Sequence, residues 1–223
     1  MLYFGYGSNL CGSDLSRWCV ERSLKPIALT RVVHAFVPDR RLAFTHRSTT
    51  RGGGVLDIPE ARGAAVAGVL FRVAGDEAIA TLDRKESEGH TYRRIETIAL
   101  TEDGGEERHP VLARHDASGG EAATTTGTLL NLGPYPGLIV DGAKNHVAGE
   151  LYLASEPDTL FAELDAIETF RGFGVPGSLY RRAIVRVRLA NSGAALAWTY
   201  IYAGPRSGCR VIDSGDWREP RQP

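Results

Sequence analysis

Two glutamates stand at matching places in two copies of one short pattern, Leu82-Asp83-Arg84-Lys85-Glu86 and Leu164-Asp165-Ala166-Ile167-Glu168. Residues four apart share a helix face, so if a helix runs through each pattern, each carboxylate projects beside a core-facing leucine. Desolvation there favours the neutral acid and moves its pKa toward the range useful for proton transfer near neutral pH. The alternative is that both glutamates lie just past a helix end, in water or beside a neighbouring Arg. Asp83 and Asp165 either join the glutamates as carboxylate dyads or bond backbone or Arg near the helix end.

A second candidate is Phe4-Gly5-Tyr6-Gly7-Ser8-Asn9-Leu10, where a short apolar strand meets glycines and then small polar residues at the start of a helix. Glycines let backbone N–H groups approach a ligand, and a helix start favours anions, so a carboxylate or phosphate fits there. A plain turn with a Ser or Asn cap is the alternative. The glycine spacing satisfies neither the dinucleotide nor the Walker pattern. Ser8 and Cys11 are conceivable nucleophiles near a helix start. Ser8, however, lacks the second glycine of a nucleophile elbow, and no His lies in a motif that would supply its base. The six histidines show no HxxxH spacing and the three cysteines (Cys11, Cys19, Cys209) no CxxC, so no metal site is expected. The cysteines read as free thiols of a reducing cytosol.

These residues need elements to bring them together, and the chain repeats the elements. Val66-Ala-Gly-Val-Leu-Phe71 returns as Val147-Ala-Gly-Glu-Leu-Tyr152, an offset of 81 residues, followed each time by the Leu-Asp-x-x-Glu pattern and then by Tyr92-Arg-Arg94 or Tyr180-Arg-Arg182. Three matched blocks in one order indicate two homologous modules in tandem. Each reads as a strand (64–73; 146–154), a helix and a second strand (92–100; 180–190). The second helix opens on Ser155 and Asp158, close to a capping box, with Pro157 in its first turn, and Leu160, Leu164 and Ile167 carry its apolar face. Val185, Val187 and Leu189 alternate with Arg186 and Arg188 as in a half-buried strand, and Ala197–Tyr202 is a further strand. The fold class is α+β, heavy in strand.

Asp103-Gly-Gly-Glu106 reads as a hairpin-like turn and Asp116–Glu121 as the linker, which divides the chain near residue 117 into modules 1–117 and 118–223. Arg206–Pro223 is expected to be irregular, or a tail wrapped on the second module.

With 223 residues, 24% of them charged and a formal net charge of −1, the chain is neither a stapled miniprotein nor a polyelectrolyte, and no nucleic-acid or membrane partner is expected. Only three of the 26 basic residues are lysines, Lys25, Lys85 and Lys144, with the arginines scattered. No apolar run approaches the roughly 20 residues of a membrane span. The N-terminus lacks the features of a signal peptide, so a cytoplasmic location is expected.

Tyr6-Gly7-Ser8-Asn9-Leu10, Val66-x-Gly68-Val-Leu-Phe, Leu82-Asp83-x-x-Glu86 and Tyr92 together resemble the gamma-glutamylcyclotransferase family over nearly all of residues 1–100. Residues 121–218 resemble its AIG2-like, gamma-glutamylamine cyclotransferase-like branch. That likeness rests on Gly127-Thr-Leu-Leu-Asn-Leu-Gly-Pro-Tyr135-Pro136, the Gly149-Glu-Leu-Tyr and Glu168 blocks and Ser214-Gly-Asp-Trp217. The resemblance implies modules built as small mixed β-barrels with flanking helices, and a reaction that needs no cofactor. The substrate's own α-amino group attacks its γ-carbonyl, giving 5-oxoproline and a free amine. It implies Glu86 as general acid/base, with Tyr6, Gly7, Ser8, Asn9, Leu10 and Tyr92 holding a γ-glutamyl amide or peptide and the N–H groups from Gly7 to Leu10 steadying the oxyanion. The stretch Arg47–Arg62, with Gly52-Gly-Gly54, is expected as a loop that reads the leaving amine.

The second module departs from the pattern, because Val111–Ser118 carries no Tyr-Gly-Thr/Ser-Leu. Glu168 is thus a possible second acid/base without a cradle, and that module is structural, vestigial or regulatory, or else keeps a modified pocket. Two further alternatives are a non-catalytic binder of γ-glutamyl or related carboxylates, and an enzyme that removes a γ-glutamyl protecting group in a biosynthetic pathway.

Overall fold

The computed structural model describes residues 1–47, 53–86, 92, 94–101, 120–190 and 193–219. The chain divides into two compact units, Met1–Thr101 and Glu102–Pro223. The expected turn at Asp103–Glu106, nearly all of the linker and the division near residue 117 lie outside the described residues.

The first unit begins with strand β1 (Leu2–Gly5), a 3-10 turn at Ser8–Leu10 and helix α1 (Gly12–Val20). Strands β2 (Leu29–Arg40), β3 (Ala43–Arg47), β4 (Gly54–Asp57) and β5 (Glu60–Val73) follow, then helix α2 (Asp76–Lys85) and strand β6 (Leu100–Thr101). One antiparallel sheet has the order β1-β5-β2-β6, and β3 pairs with β4. The expected strand at 64–73 is therefore longer. Of the expected loop Arg47–Arg62, the described residues are instead largely strand, since β4 and the start of β5 occupy them; residues 48–52, Gly52 among them, lie outside the described residues.

The strand expected at 92–100 is reduced to Leu100 and Thr101, with a lone bridge at Tyr92. Leu100 faces Phe36, and two positions further along β2 the regular edge ends. Pro38 has no N–H, and the register shifts between Pro38 and Arg40 around Asp39 at a φ of 54°.

The second unit has strands β7 (Glu121–Thr126), β8 (Thr128–Asn131), β9 (Pro136–Ile139) and β10 (His146–Leu151), helix α3 (Pro157–Ile167), and strands β11 (Tyr180–Leu189), β12 (Ala194–Tyr202) and β13 (Arg210–Val211). They form two ladders, β10-β7-β11-β12 and β13-β8-β9. β10 stops at Leu151, three residues short of expectation, where its partner β7 runs out at Glu121. The C-terminal segment is largely irregular and lies on this unit. β13 pairs with β8, and the Gly215 carbonyl accepts a bond from the Ala148 N–H. The sheets of both units are open, and no described ladder closes them into the expected barrels. What holds is a mixed α/β structure with few helices.

α3 is turned differently from expectation. Leu160 and Ile167 are exposed and Phe161 is buried. Its ring meets Trp198 edge-on at 6.0 Å and lies 4.9 Å from the Arg182 guanidinium. An aromatic ring buries more area than leucine, so it sets the inward face, and the same rotation brings Asp165 and Glu168 inward at positions four and seven further on. The expected Ser155 cap is also not made. The N-cap is Glu156, without a side-chain cap bond, and Pro157 holds the first turn.

The core beside the first motif joins α1, α2 and the sheet. Leu15 and Cys19 of α1 pack with Ile27, Val73 and Leu82, and Tyr3, Trp18 and Ile79 close over them. Among the described residues no helix is long and apolar enough to cross a membrane.

Candidate active site

β1 is pressed against β5 at a place only glycine fits. A Cβ on Gly68 would lie 2.4 Å from the Gly5 carbonyl oxygen and 2.5 Å from the Phe4 ring. That contact fixes where the chain leaves the sheet and enters the turn at Ser8–Leu10. The turn is closed by the Leu10 N–H to the Gly7 carbonyl at 2.9 Å and the Cys11 N–H to Ser8 at 3.1 Å. Of the expected oxyanion donors Gly7 to Leu10, Leu10 is thus already spent. The Ser8 and Asn9 N–H groups precede the first closing bond and stay outside the turn's own pattern.

Leu82, packed against Leu15 and Cys19, holds the other half of the site. α2 ends at Lys85 and Glu86 is its C-cap, its N–H bonded to the Leu82 carbonyl at 2.9 Å. Glu86 therefore lies just past the helix end, but it faces polar side chains of the first motif. Asn9, only 6% exposed, donates from Nδ2 to Glu86 Oε1 at 2.8 Å and to the Tyr3 hydroxyl at 2.5 Å. Lys85 Nζ donates to Asn9 Oδ1 at 2.5 Å and Ser8 Oγ at 3.2 Å, and lies 3.5 Å from Glu86 Oε1. Glu86 Oε2 accepts no bond from any described residue.

Three phenols surround this carboxylate. Burial, against the Asn9 bond and with the Glu86 charge adding to it, pushes Tyr3 up to about 12. Tyr6 is raised by burial and then by Asp57, Tyr92, Glu86 and Tyr3. Tyr92, whose hydroxyl donates to the Leu56 carbonyl at 3.2 Å, is raised by burial and then by Glu86 and Asp57. All three stay protonated near neutral pH. The sequence motifs thus bring Tyr6, Ser8, Asn9, Glu86 and Tyr92 together. Tyr3, Asp57 and Lys85 were not anticipated; the signal for Lys85 was its rarity in this chain and its place inside the glutamate motif.

Among the described residues the nucleophile alternatives find no base. Ser8 accepts from Lys85, and Cys11 lies 3.2 Å from Ser13 Oγ, a bond that heads the causes lowering its thiol pKa. Asp83 forms no dyad with Glu86 but takes Arg94 at 3.0 Å. Among the described residues no three His, Cys, Asp or Glu side chains are grouped as metal ligands.

A family profile described as gamma-glutamyl cyclotransferase, AIG2-like, matches residues 3–109 and again 101–219. The chain belongs to this family. Its relatives include the gamma-glutamylcyclotransferase family protein YtfP of Escherichia coli K12, 34% identical over 89 residues, which are 40% of this chain and 66% of that protein. This chain therefore spans slightly less than two thirds of that relative. A Vibrio cholerae protein provisionally named a gamma-glutamylcyclotransferase is 37% identical over 113 residues, 51% of this chain and 85% of the relative. A solved structure titled gamma-glutamyl cyclotransferase is 26% identical, covers 47% of this chain and 60% of its own, and gives a TM-score of 0.39.

The second cyclotransferase-like repeat keeps the outline of the first. Glu168 caps α3 with its N–H on the Leu164 carbonyl at 2.9 Å, and Tyr180, like Tyr92, donates to a backbone carbonyl, that of Pro136, at 3.1 Å. Asp165 again forms no dyad. It lies 3.4 Å from Arg182 and accepts from the Tyr200 hydroxyl at 2.6 Å. Glu168, however, accepts no hydrogen bond from any described residue, and burial raises its pKa.

Proposed function

We propose that the first unit of this cyclotransferase-family chain cleaves a γ-glutamyl amide or peptide by intramolecular aminolysis, releasing 5-oxoproline and an amine, with Glu86 as the proton carrier. The reading is supported above all by the 2.8 Å bond from Asn9 to Glu86, which joins the Tyr-Gly-Ser-Asn-Leu and Leu-Asp-x-x-Glu motifs across 77 residues. Oε1 is anchored there, which leaves Oε2 as the oxygen that faces substrate. The carboxylate takes a proton from the substrate's α-ammonium group, the freed nitrogen attacks the γ-carbonyl, and the tetrahedral oxyanion is met by the Ser8 and Asn9 N–H groups. The nitrogen keeps one of its three protons in the new ring and passes two, by way of Glu86, to the departing amine. Because nucleophile and carbonyl belong to one molecule, the pocket has only to hold the substrate folded back. Tyr6 and Tyr92 line the substrate in this reading, and the three free thiols suit an enzyme of the reducing cytoplasm. The second unit, from the segment 102–120 onward, has a structural role.

The test is release of 5-oxoproline from a panel of γ-glutamyl peptides and amines. Glu86→Gln keeps size and hydrogen bonding but carries no proton, so the rate should fall about 10²- to 10⁴-fold with an unchanged melting temperature. Undiminished turnover in that variant would remove Glu86 from the mechanism. No product from any substrate with the wild type would remove the activity.

A further inference from the structure

We infer that Lys85 is a positioning residue of this site: its ammonium holds the Asn9 amide in the one orientation that donates to Glu86, and so keeps Oε1 anchored and Oε2 presented. The inference rests on the cyclotransferase reading for its kinetic consequence, but not for its structural one. The Lys85 side chain is 4% exposed, and withdrawing an ammonium from water is unfavourable unless its protons are all met. Here they are. An ammonium has three N–H donors, and three acceptors stand within reach: Asn9 Oδ1 at 2.5 Å, Ser8 Oγ at 3.2 Å and Glu86 Oε1 at 3.5 Å. With its donors engaged by protein atoms, Lys85 acts through Asn9 and Glu86 rather than on the substrate.

An asparagine amide can be turned by half a rotation, exchanging its donor and acceptor ends. An ammonium cannot donate to an NH2 group, so Lys85 fixes Oδ1 on its own side. The NH2 end is then directed at the Tyr3 hydroxyl and Glu86 Oε1. The same step of the second repeat carries Ile167, 72% exposed, beside a glutamate that accepts no bond from a described residue. The device is confined to the unit that has the cradle.

Lys85→Met and Lys85→Gln test it, each measured with Asn9 intact and with Asn9→Ala. Lys85→Met should lower kcat about 10- to 100-fold with KM within about twofold, as expected for loss of a charge-assisted bond that orients the acid/base. Lys85→Gln, which keeps one amide donor for Oδ1, should recover part of that loss. In the Asn9→Ala background either substitution should add less than about twofold, because there is no amide left to hold. A rise in KM that carries the whole effect, or full additivity with Asn9→Ala, overturns the inference.

Independently of turnover, the side-chain amide protons of Asn9 should exchange slowly and resonate apart from other amides in NMR spectra of the wild type, and lose both properties in Lys85→Met. An unchanged Asn9 amide in that variant overturns the inference as well. A wild type that releases no 5-oxoproline defeats the proposed function, and the amide measurement then decides this one alone.

Discussion

In the first unit the glutamate of the repeated motif is met by Asn9 and Lys85; in the second, Glu168 occupies the same place in the repeat with no donor from any described residue. The helices that carry the two glutamates end alike, each with the glutamate N–H on the leucine four residues back. What differs is the strand beside them. β5 carries β1 on its outer side, so tightly that Gly68 tolerates no side chain, and β1 delivers Ser8 and Asn9. Among the described residues β10 is the end strand of its ladder, and a Cβ on its matching residue, Gly149, would meet nothing within 4 Å.

The aspartate–arginine pair of the repeat diverges in the opposite direction. Asp83 and Arg94 form an ion pair whose arginine is 55% exposed. Asp165 faces Arg182, whose side chain is 1% exposed and whose guanidinium lies between 4.9 and 5.3 Å from the rings of Phe161, Phe170, Phe173 and Trp198. The unit with the cradle spends its polar groups on the glutamate, and the other packs four aromatic rings around the arginine. Within one motif, then, the aspartate and arginine belong to the scaffold, and the proposed function gives the chemistry to the glutamate.

The contrast breaks most sharply in rate. Beside the loss of about 10²- to 10⁴-fold in Glu86→Gln, Glu168→Gln should change 5-oxoproline release by less than about twofold; equal losses would make the two sites equivalent. The next largest contrast is in stability. Arg182→Met strands a largely buried carboxylate and should cost about 3–5 kcal/mol in chemical denaturation. Arg94→Met, at a solvent-screened pair, should cost less than about 1 kcal/mol. Gly68→Ala should cost about 1–3 kcal/mol by driving β1 from β5, and activity should fall with it. Gly149→Ala should stay within about 0.5 kcal/mol.

The smallest effect concerns pH. The folded state raises the pKa of Glu168, so it favours the protonated form. That contribution is fully present below the unfolded value and is lost as pH rises through the folded one. Thermal melts of Glu168→Gln against the wild type should therefore show the variant gaining stability near pH 7, with the gain shrinking as pH falls through the carboxylate range. A gain independent of pH would exclude this origin.

Much of this was legible in the residues. The repeated blocks indicated two modules and the strand at 64–73, which in β5 starts four residues earlier, because a pattern that recurs in one order constrains folding locally. Glu86 and Asn9 were each visible within their own motif. Their contact was not, because it spans 77 residues and depends on Leu82 packing against α1. Spacing could not choose between Leu160 and Phe161 as the inward residue of α3, since that choice is made by Trp198 and Arg182, far along the chain. That the strand expected at 92–100 shortens to β6 was not visible in its own residues, because the irregular part of its partner lies at Pro38 and Asp39.

One consequence concerns behaviour at high concentration. An end strand with outward-facing N–H and C=O groups is a template for pairing with another molecule. On β10 that side is met by the chain's own C-terminal segment: the Gly215 carbonyl takes the Ala148 N–H at 2.9 Å, and Arg218 reaches Glu150 at 3.2 Å. Gly215, at a φ of 70°, comes so close that a Cβ would lie 1.9 Å from the His146 carbonyl oxygen. Where the first unit guards its sheet with the strand that builds the cradle, the second guards its own with a charged turn that discourages aggregation.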